Sequence, residues 1–154
     1  RQPTHLHITW QDDNTLKMEA DFGNQTRLFH FAPNAMSAAA MKAPAGEAPS
    51  FQGYTVANWV QLGGKEGFEK GGNLAATTTN LKPGYYYRNG MPYSANAVLT
   101  EHFRVIDIPK SGQWITFSSM VADPEYLTQP YVVTYHFKKL ADGSKWNPQP
   151  CSAR

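Results

Sequence analysis

The stretch "AVLTEHFRV" (97–105) alternates like a β-strand, with Leu99, Glu101, Phe103 and Val105 on one face and Thr100, His102 and Arg104 on the other. A carboxylate among Leu, Phe and Val is costly unless it is paired, protonated or put to use. The stretch "QTRLFHF" (25–31) carries the complementary anomaly, because Arg27 shares a face with Phe29 and Phe31. Tyr131, Val133, Tyr135 and Phe137 also fall together, as do Ile115, Phe117, Ser119 and Val121. If these faces line one interior, Glu101 and Arg27 meet there with Tyr135 nearby, and Phe103 and Phe117 supply apolar lining. A glutamate desolvated without a cation suits a general acid or base. One held by Arg27 suits a fixed ion pair or an anion clamp. The structural alternative is a buried pair that fixes strand register and adds little net stability, since desolvation offsets the attraction.

The histidines offer a rival site. His5 and His7 lie two apart on one strand, a spacing compatible with two metal ligands. His102 and His136 each follow a Thr-x setting on the face opposite the expected interior. Separated by one strand, their backbones would be about 10 Å apart, too far for easy bridging by one zinc with bonds of about 2 Å. The plainer expectation is exposed or locally hydrogen-bonded histidines and no metal. A third candidate is the loop "KPGYYYRNGMPYSAN" (82–96), in which Tyr85, Tyr87, Arg88, Asn89 and Tyr93 could stack on a flat ligand or gate a barrel mouth. Its alternative is that the rings pack down and close one end. The Asp123–Pro124 turn in "VADPEYLTQPY" reads as structural.

These residues must be held by strands. Alternating segments recur at 4–10, 15–21, 25–31, 53–62, 74–81, 97–106, 113–122 and 131–140, separated by turn residues. "QDDN" and "FGN" suit hairpins. The Ala- and Pro-rich segment 32–50 reads as a long excursion, with room for a helical turn or two over 35–42 between Pro33 and Pro44. The expected fold is all-β: one domain over 1–154, an antiparallel meander of about eight strands, closed as a lipocalin-like barrel, with a β-sandwich as the alternative. Eight strands enclose room for one small ligand.

Composition narrows the function classes. Charged residues are 17% of the chain, against an ordinary value of about 25%, and the net charge is +2 with no basic run longer than Lys-Lys. Nucleic acid is a poor partner for such a surface. No apolar run approaches the roughly 20 residues of a membrane-spanning helix. Nucleophile elbows, metalloprotease helices, phosphate-binding loops and C-x-x-C pairs are absent from the sequence, so no cofactor is expected. The single cysteine, Cys151, has no internal partner. It reads as a free tail thiol, or as one half of a bridge to a cysteine upstream or on another chain.

Four motifs, T-T-x-L-x-x-G-Y, R-N-G-x-P, T-E-x-F and D-P-x-Y-L-T, fall on Thr78–Tyr85, Arg88–Pro92, Thr100–Phe103 and Asp123–Thr128. With the tail "SKWNPQPC", this pattern resembles a large group of uncharacterised bacterial proteins, many with predicted signal peptides. The resemblance runs from roughly Gly53 to Cys151 and implies an exported, periplasmic or secreted, bacterial location. It brings no activity, but it places Glu101 at a motif position, while His102 occupies a position the pattern leaves open. A start at Arg1 rather than Met suits a mature form or a trimmed piece.

The sequence thus leads to a small exported β-barrel that binds an apolar or aromatic molecule, with Glu101 and Arg27 giving polar recognition. One alternative is a cofactor-independent lyase or isomerase in the same cavity, using Glu101 as acid/base with Arg27 and Tyr135 holding the substrate. The other is a carbohydrate-active or carbohydrate-binding module.

Overall fold

Hairpins build most of the molecule, because the residues between alternating segments let the chain reverse tightly. The computed structural model describes residues 5–31, 42–60, 73–86 and 90–150. Its strands are β1 (Leu6–Asp12), β2 (Thr15–Ala20), β3 (Gln25–Phe31), β4 (Tyr54–Val60), β5 (Asn73–Thr79), β6 (Gly84–Tyr85), β7 (Pro92–Tyr93), β8 (Val98–Ile108), β9 (Gly112–Ala122) and β10 (Tyr131–Lys138). At the β1–β2 turn the Asp12 carboxylate accepts from the Asn14 N–H at 2.9 Å. The β2–β3 turn uses the left-handed conformation at Gly23 and Asn24, and β8–β9 uses it at Lys110 and Gly112. No helix occurs among the described residues. The expected helical turns at 35–42 fall almost wholly outside them.

Eight strands form one curled sheet in the order β1-β2-β3-β4-β5-β8-β9-β10, and β6 and β7 form a small hairpin of their own. The all-β class and the eight main strands agree with the sequence. Two features of the expected meander are corrected. First, β3 and β4 pair in parallel, with Phe29 opposite Thr55 and Phe31 opposite Ala57. Parallel neighbours need a long crossover, and the excursion that ends at Gly53 provides it. Its return is tied down where Lys82 donates to the Ser50 carbonyl at 2.8 Å and Asn80 to the Glu47 carbonyl at 3.0 Å.

Second, the barrel is half a barrel. Among the described residues β1 pairs only with β2, and β10 only with β9. Beyond β10 the chain contains Gly143, Pro148 and Pro150, which do not sustain a ladder. It crosses the seam as an irregular strap instead. Gln149 then pairs with the β2–β3 turn, donating to the Asp21 carbonyl at 2.7 Å and accepting from Gly23 at 2.8 Å.

Register shows that the side chains grouped by alternation share the concave face. Leu74, Phe103, Phe117 and Tyr135 lie side by side across β5, β8, β9 and β10. Met18, Phe29, Ala57, Leu74, Ala76, Phe103 and Phe117 form the buried core. Phe103 stacks on Phe117 at 5.0 Å and meets Phe29 edge-on at 5.6 Å.

A polar knot fastens the chain where β7 leads into β8 and β9 ends. Buried Asp123 accepts from the Ser94 N–H at 2.7 Å, the Ser94 hydroxyl at 2.9 Å and the Glu125 N–H at 3.0 Å. Burial pushes its carboxyl up, but these hydrogen bonds, with one from the Tyr126 backbone, outweigh it and hold the group below the usual aspartate range. A carboxyl held down in the folded state stabilises the fold above the unfolded value of about 4 and loses that contribution as pH falls through the folded value. Asp123→Asn is therefore expected to lower the urea midpoint at pH 7 and to show a shallower acid loss of stability than the parent. Parallel acid limbs would refute this.

Candidate functional site

Glu101 and Arg27 meet. Arg27 donates from Nη1 to Glu101 Oε1 at 3.1 Å and from Nη2 to Oε2 at 2.5 Å, a bidentate pair. Arg27 lies on β3 and Glu101 on β8, with β4 and β5 between them. In a flat sheet three strand spacings amount to about 14 Å, so the contact requires both curl and long side chains. It also requires small residues beneath. Thr55 and Ala57 on β4, and Ala76 and Thr78 on β5, are all buried there.

Those small residues complete a polar network. Arg27 Nη2 also donates to Thr78 Oγ1 at 3.1 Å, the Thr78 and Thr55 hydroxyls lie 2.7 Å apart, and Ser119 Oγ donates to Glu101 Oε1 at 3.1 Å. The network thus touches β3, β4, β5, β8 and β9. The guanidinium carbon stands 4.9 Å from the Phe29 ring centroid, a cation–π contact. The glutamate side chain is 3% exposed and the arginine 16%.

A cleft lies elsewhere among the described residues. It has a volume of ≈ 1130 Å³ and occupies the seam between β1 and β10, and neither Glu101 nor Arg27 lines it. Leu6, Ile8, Val105, Ile115, Tyr135 and Phe137, all concave-face positions, supply its apolar surface. His5, His7, His136, Trp114 and Lys138 stand on the opposite parity at its edges, and the strap adds Lys139, Lys145 and Trp146. The row containing Phe103 and Phe117 lies between the glutamate's row and that of Val105 and Ile115. Tyr135 packs on Phe117 at 5.1 Å, so of the expected polar trio it alone reaches the cleft.

The histidines have local partners. His5 Nδ1 lies 2.7 Å from Asp21 Oδ2, and the His5 backbone N–H donates to Asp21 Oδ1 at 3.0 Å. His7 Nδ1 lies 3.2 Å from Glu19 Oε2. The Lys17 ammonium, with a smaller contribution from His7, holds the Glu19 carboxyl below its ordinary range against the effect of burial. His136 Nδ1 bonds Thr116 Oγ1 at 3.0 Å on the convex face, and His102 is exposed on that face with β9 between it and β10. No group of three metal-ligating side chains occurs among the described residues.

The described tyrosines of the 82–96 loop lie away from the cleft. Tyr85 is exposed, while Tyr86 and Tyr93 are half-buried and pack together at 5.0 Å. Burial, with Asp123 and Tyr93 adding, pushes the Tyr86 hydroxyl up to about 12, and burial also raises Tyr93. None of the three lines the cleft. Tyr87, Arg88, Asn89 and Cys151 lie outside the described residues. The cleft's cationic edge was missed in the sequence, although "KKLADGSKW" carries three lysines and a tryptophan in nine residues.

No protein-family model, curated protein or solved structure matches the chain. No helix among the described residues is long and apolar enough to cross a membrane.

Removing one member of a buried pair strands the other, at a cost of about 3–5 kcal/mol, whereas replacing both by apolar residues is often near neutral. Arg27→Met alone is expected to cost that much in urea unfolding, and Arg27→Met with Glu101→Leu to recover most of it. A double variant no more stable than the single one would remove Glu101 as the reason for the loss.

Proposed function

We propose that the protein binds a small, largely apolar or aromatic molecule in the seam cleft, a lipocalin-like use of a curled sheet, and that it works outside the cytoplasm. The carrying observation is the recessed apolar surface at the seam. Leu6, Ile8, Val105, Ile115, Tyr135 and Phe137 face a space of ≈ 1130 Å³ bounded by two strands and the strap. Ligand sites are built this way: concave, mostly apolar and edged by a few polar groups. In this reading Glu101 and Arg27 hold the curl of the sheet that shapes the cleft, and Tyr135 contributes a hydroxyl at its wall. The motif resemblance to exported bacterial proteins supports the location. The lyase or isomerase alternative has less support, because Glu101 accepts from Arg27 and Ser119 and is absent from the cleft lining.

The test is titration with the neutral fluorophore N-phenyl-1-naphthylamine. Binding with enhanced emission is expected. Ile8→Gln with Val105→Gln should weaken it roughly tenfold, as expected for about 1.4 kcal/mol of lost apolar contact. Both positions are substantially exposed, at 38% and 49%, so the thermal midpoint should hold. Absence of binding, or binding indifferent to these changes, would reject the cleft as the site.

A second reading rests on a separate row of rings. Trp10 and Trp59, 52% and 56% exposed, flank Phe31 at centroid distances of 5.3 and 5.6 Å. Such a platform suits stacking on the apolar face of a sugar. Retention on insoluble polysaccharide that is lost in Trp10→Ala with Trp59→Ala would support it, and no retention by the parent would count against it.

A further inference from the structure

The cleft is divided by polarity, and the division specifies a class of ligand. Its depth is aliphatic and aromatic. Three lysines, Lys138, Lys139 and Lys145, line its edge. Among the described residues, none of the three has a carboxylate oxygen within 4.0 Å, whereas Lys17 and Arg27 each have one. Among the described residues the only carboxylate lining the cleft is that of Asp142, which turns into its own loop. It accepts from the Ser144 hydroxyl at 2.6 Å and the Ser144 N–H at 3.0 Å. These hydrogen bonds, the hydroxyl's first, hold its carboxyl below the usual range, with Lys145 contributing.

We infer that the ligand is an amphipathic anion: an apolar or aromatic body seated against Ile8, Val105 and Phe137, with one carboxylate or sulfonate-type headgroup at the lysine edge. This rests on the cleft being the binding site. Lysine stems lie along apolar surface while their heads stay in water; Lys138, on the opposite parity from the floor, sets its ammonium 6.0 Å from the Trp114 ring centroid at the rim of the cleft. A headgroup that leaves the apolar floor at that rim meets the edge these lysines line. A cationic ligand would meet three like charges. A neutral one would fill the floor and leave the ammonium groups unused. The apolar surface is recessed between β1, β10 and the strap, which favours a monomeric amphiphile over a bilayer surface.

Two probes with nearly the same body separate the claims: 8-anilinonaphthalene-1-sulfonate and neutral N-phenyl-1-naphthylamine. In low salt the sulfonate is expected to bind about tenfold tighter or more, an advantage that shrinks as salt screens the exposed charges. Lys138→Gln with Lys139→Gln and Lys145→Gln should abolish that advantage and leave the neutral probe's affinity unchanged. Ile8→Gln with Val105→Gln should weaken both probes. Equal affinity for the two probes, or a sulfonate preference that survives the triple lysine change, would overturn the anionic class while leaving the cleft as a site. Failure of both probes to bind, or indifference of both to the Ile8 and Val105 changes, would overturn the cleft reading itself. Co-sedimentation with vesicles containing anionic phospholipid, without binding of either monomeric probe, would also overturn the inference, in favour of a membrane surface.

Discussion

A guanidinium and a carboxylate on strands three places apart can touch only if the sheet between them is bent. The contact between Arg27 and Glu101 is therefore a constraint on shape. Its net energy is small by the usual reckoning for buried pairs, since two charges must leave water to form it. Its cost when half-made is large, and that asymmetry selects geometry. A flatter sheet would leave Glu101 buried without its cation. The residues under the contact follow from it, because Ala57 and Ala76 leave headroom and Thr55 and Thr78 extend the hydrogen bonding. Larger side chains at those places would fill the passage.

That curl has a price at the edges. Bending eight strands around a polar network brings β1 and β10 to opposite sides of a cleft without pairing them. The aromatic row of Phe103 and Phe117 fills the middle of the concavity. Toward the seam the filling ends, and Tyr135, Phe137 and Ile115 are left only partly buried. The strap reaches across to Asp21 and Gly23, and Trp146 sets its ring 5.6 Å from that of His7. Packed core and open cleft are thus two parts of one concave face.

The most legible feature of the sequence was parity. A period of two places Glu101 with Phe103, and Arg27 with Phe29, whatever the order of strands, so the pair could be anticipated before any pairing was known. Parity carries no information about strand direction, however. The parallel joining of β3 and β4 depends on how a long segment returns, and Ala- and Pro-rich composition does not encode a path. Barrel closure failed as an expectation for a related reason: it turns on whether the last strand finds the first, and the tail after Lys138 has no periodicity to read. That Lys139 and Lys145 line the cleft depends on the path of the strap, which composition does not encode. His5 and His7 lie near carboxylates across the β1–β2 hairpin, Asp21 and Glu19, which hairpin register pairs with them.

The parallel joint between β3 and β4 also divides the chain by how its contacts are reached. β1 to β3 form a meander whose partners lie close in sequence, and β8 to β10 form another; both can close over short loops. Bringing β4 beside β3 in the same direction requires closing the whole excursion first, and loop-closure entropy makes such contacts late. Loop-closure entropy therefore predicts that the two local meanders form before the docking across that joint. The Arg27–Glu101 contact spans the joint, so it is completed only at docking. On that expectation the polar network that fixes the final curl forms after the transition state, and its stabilisation is expected chiefly as slower unfolding.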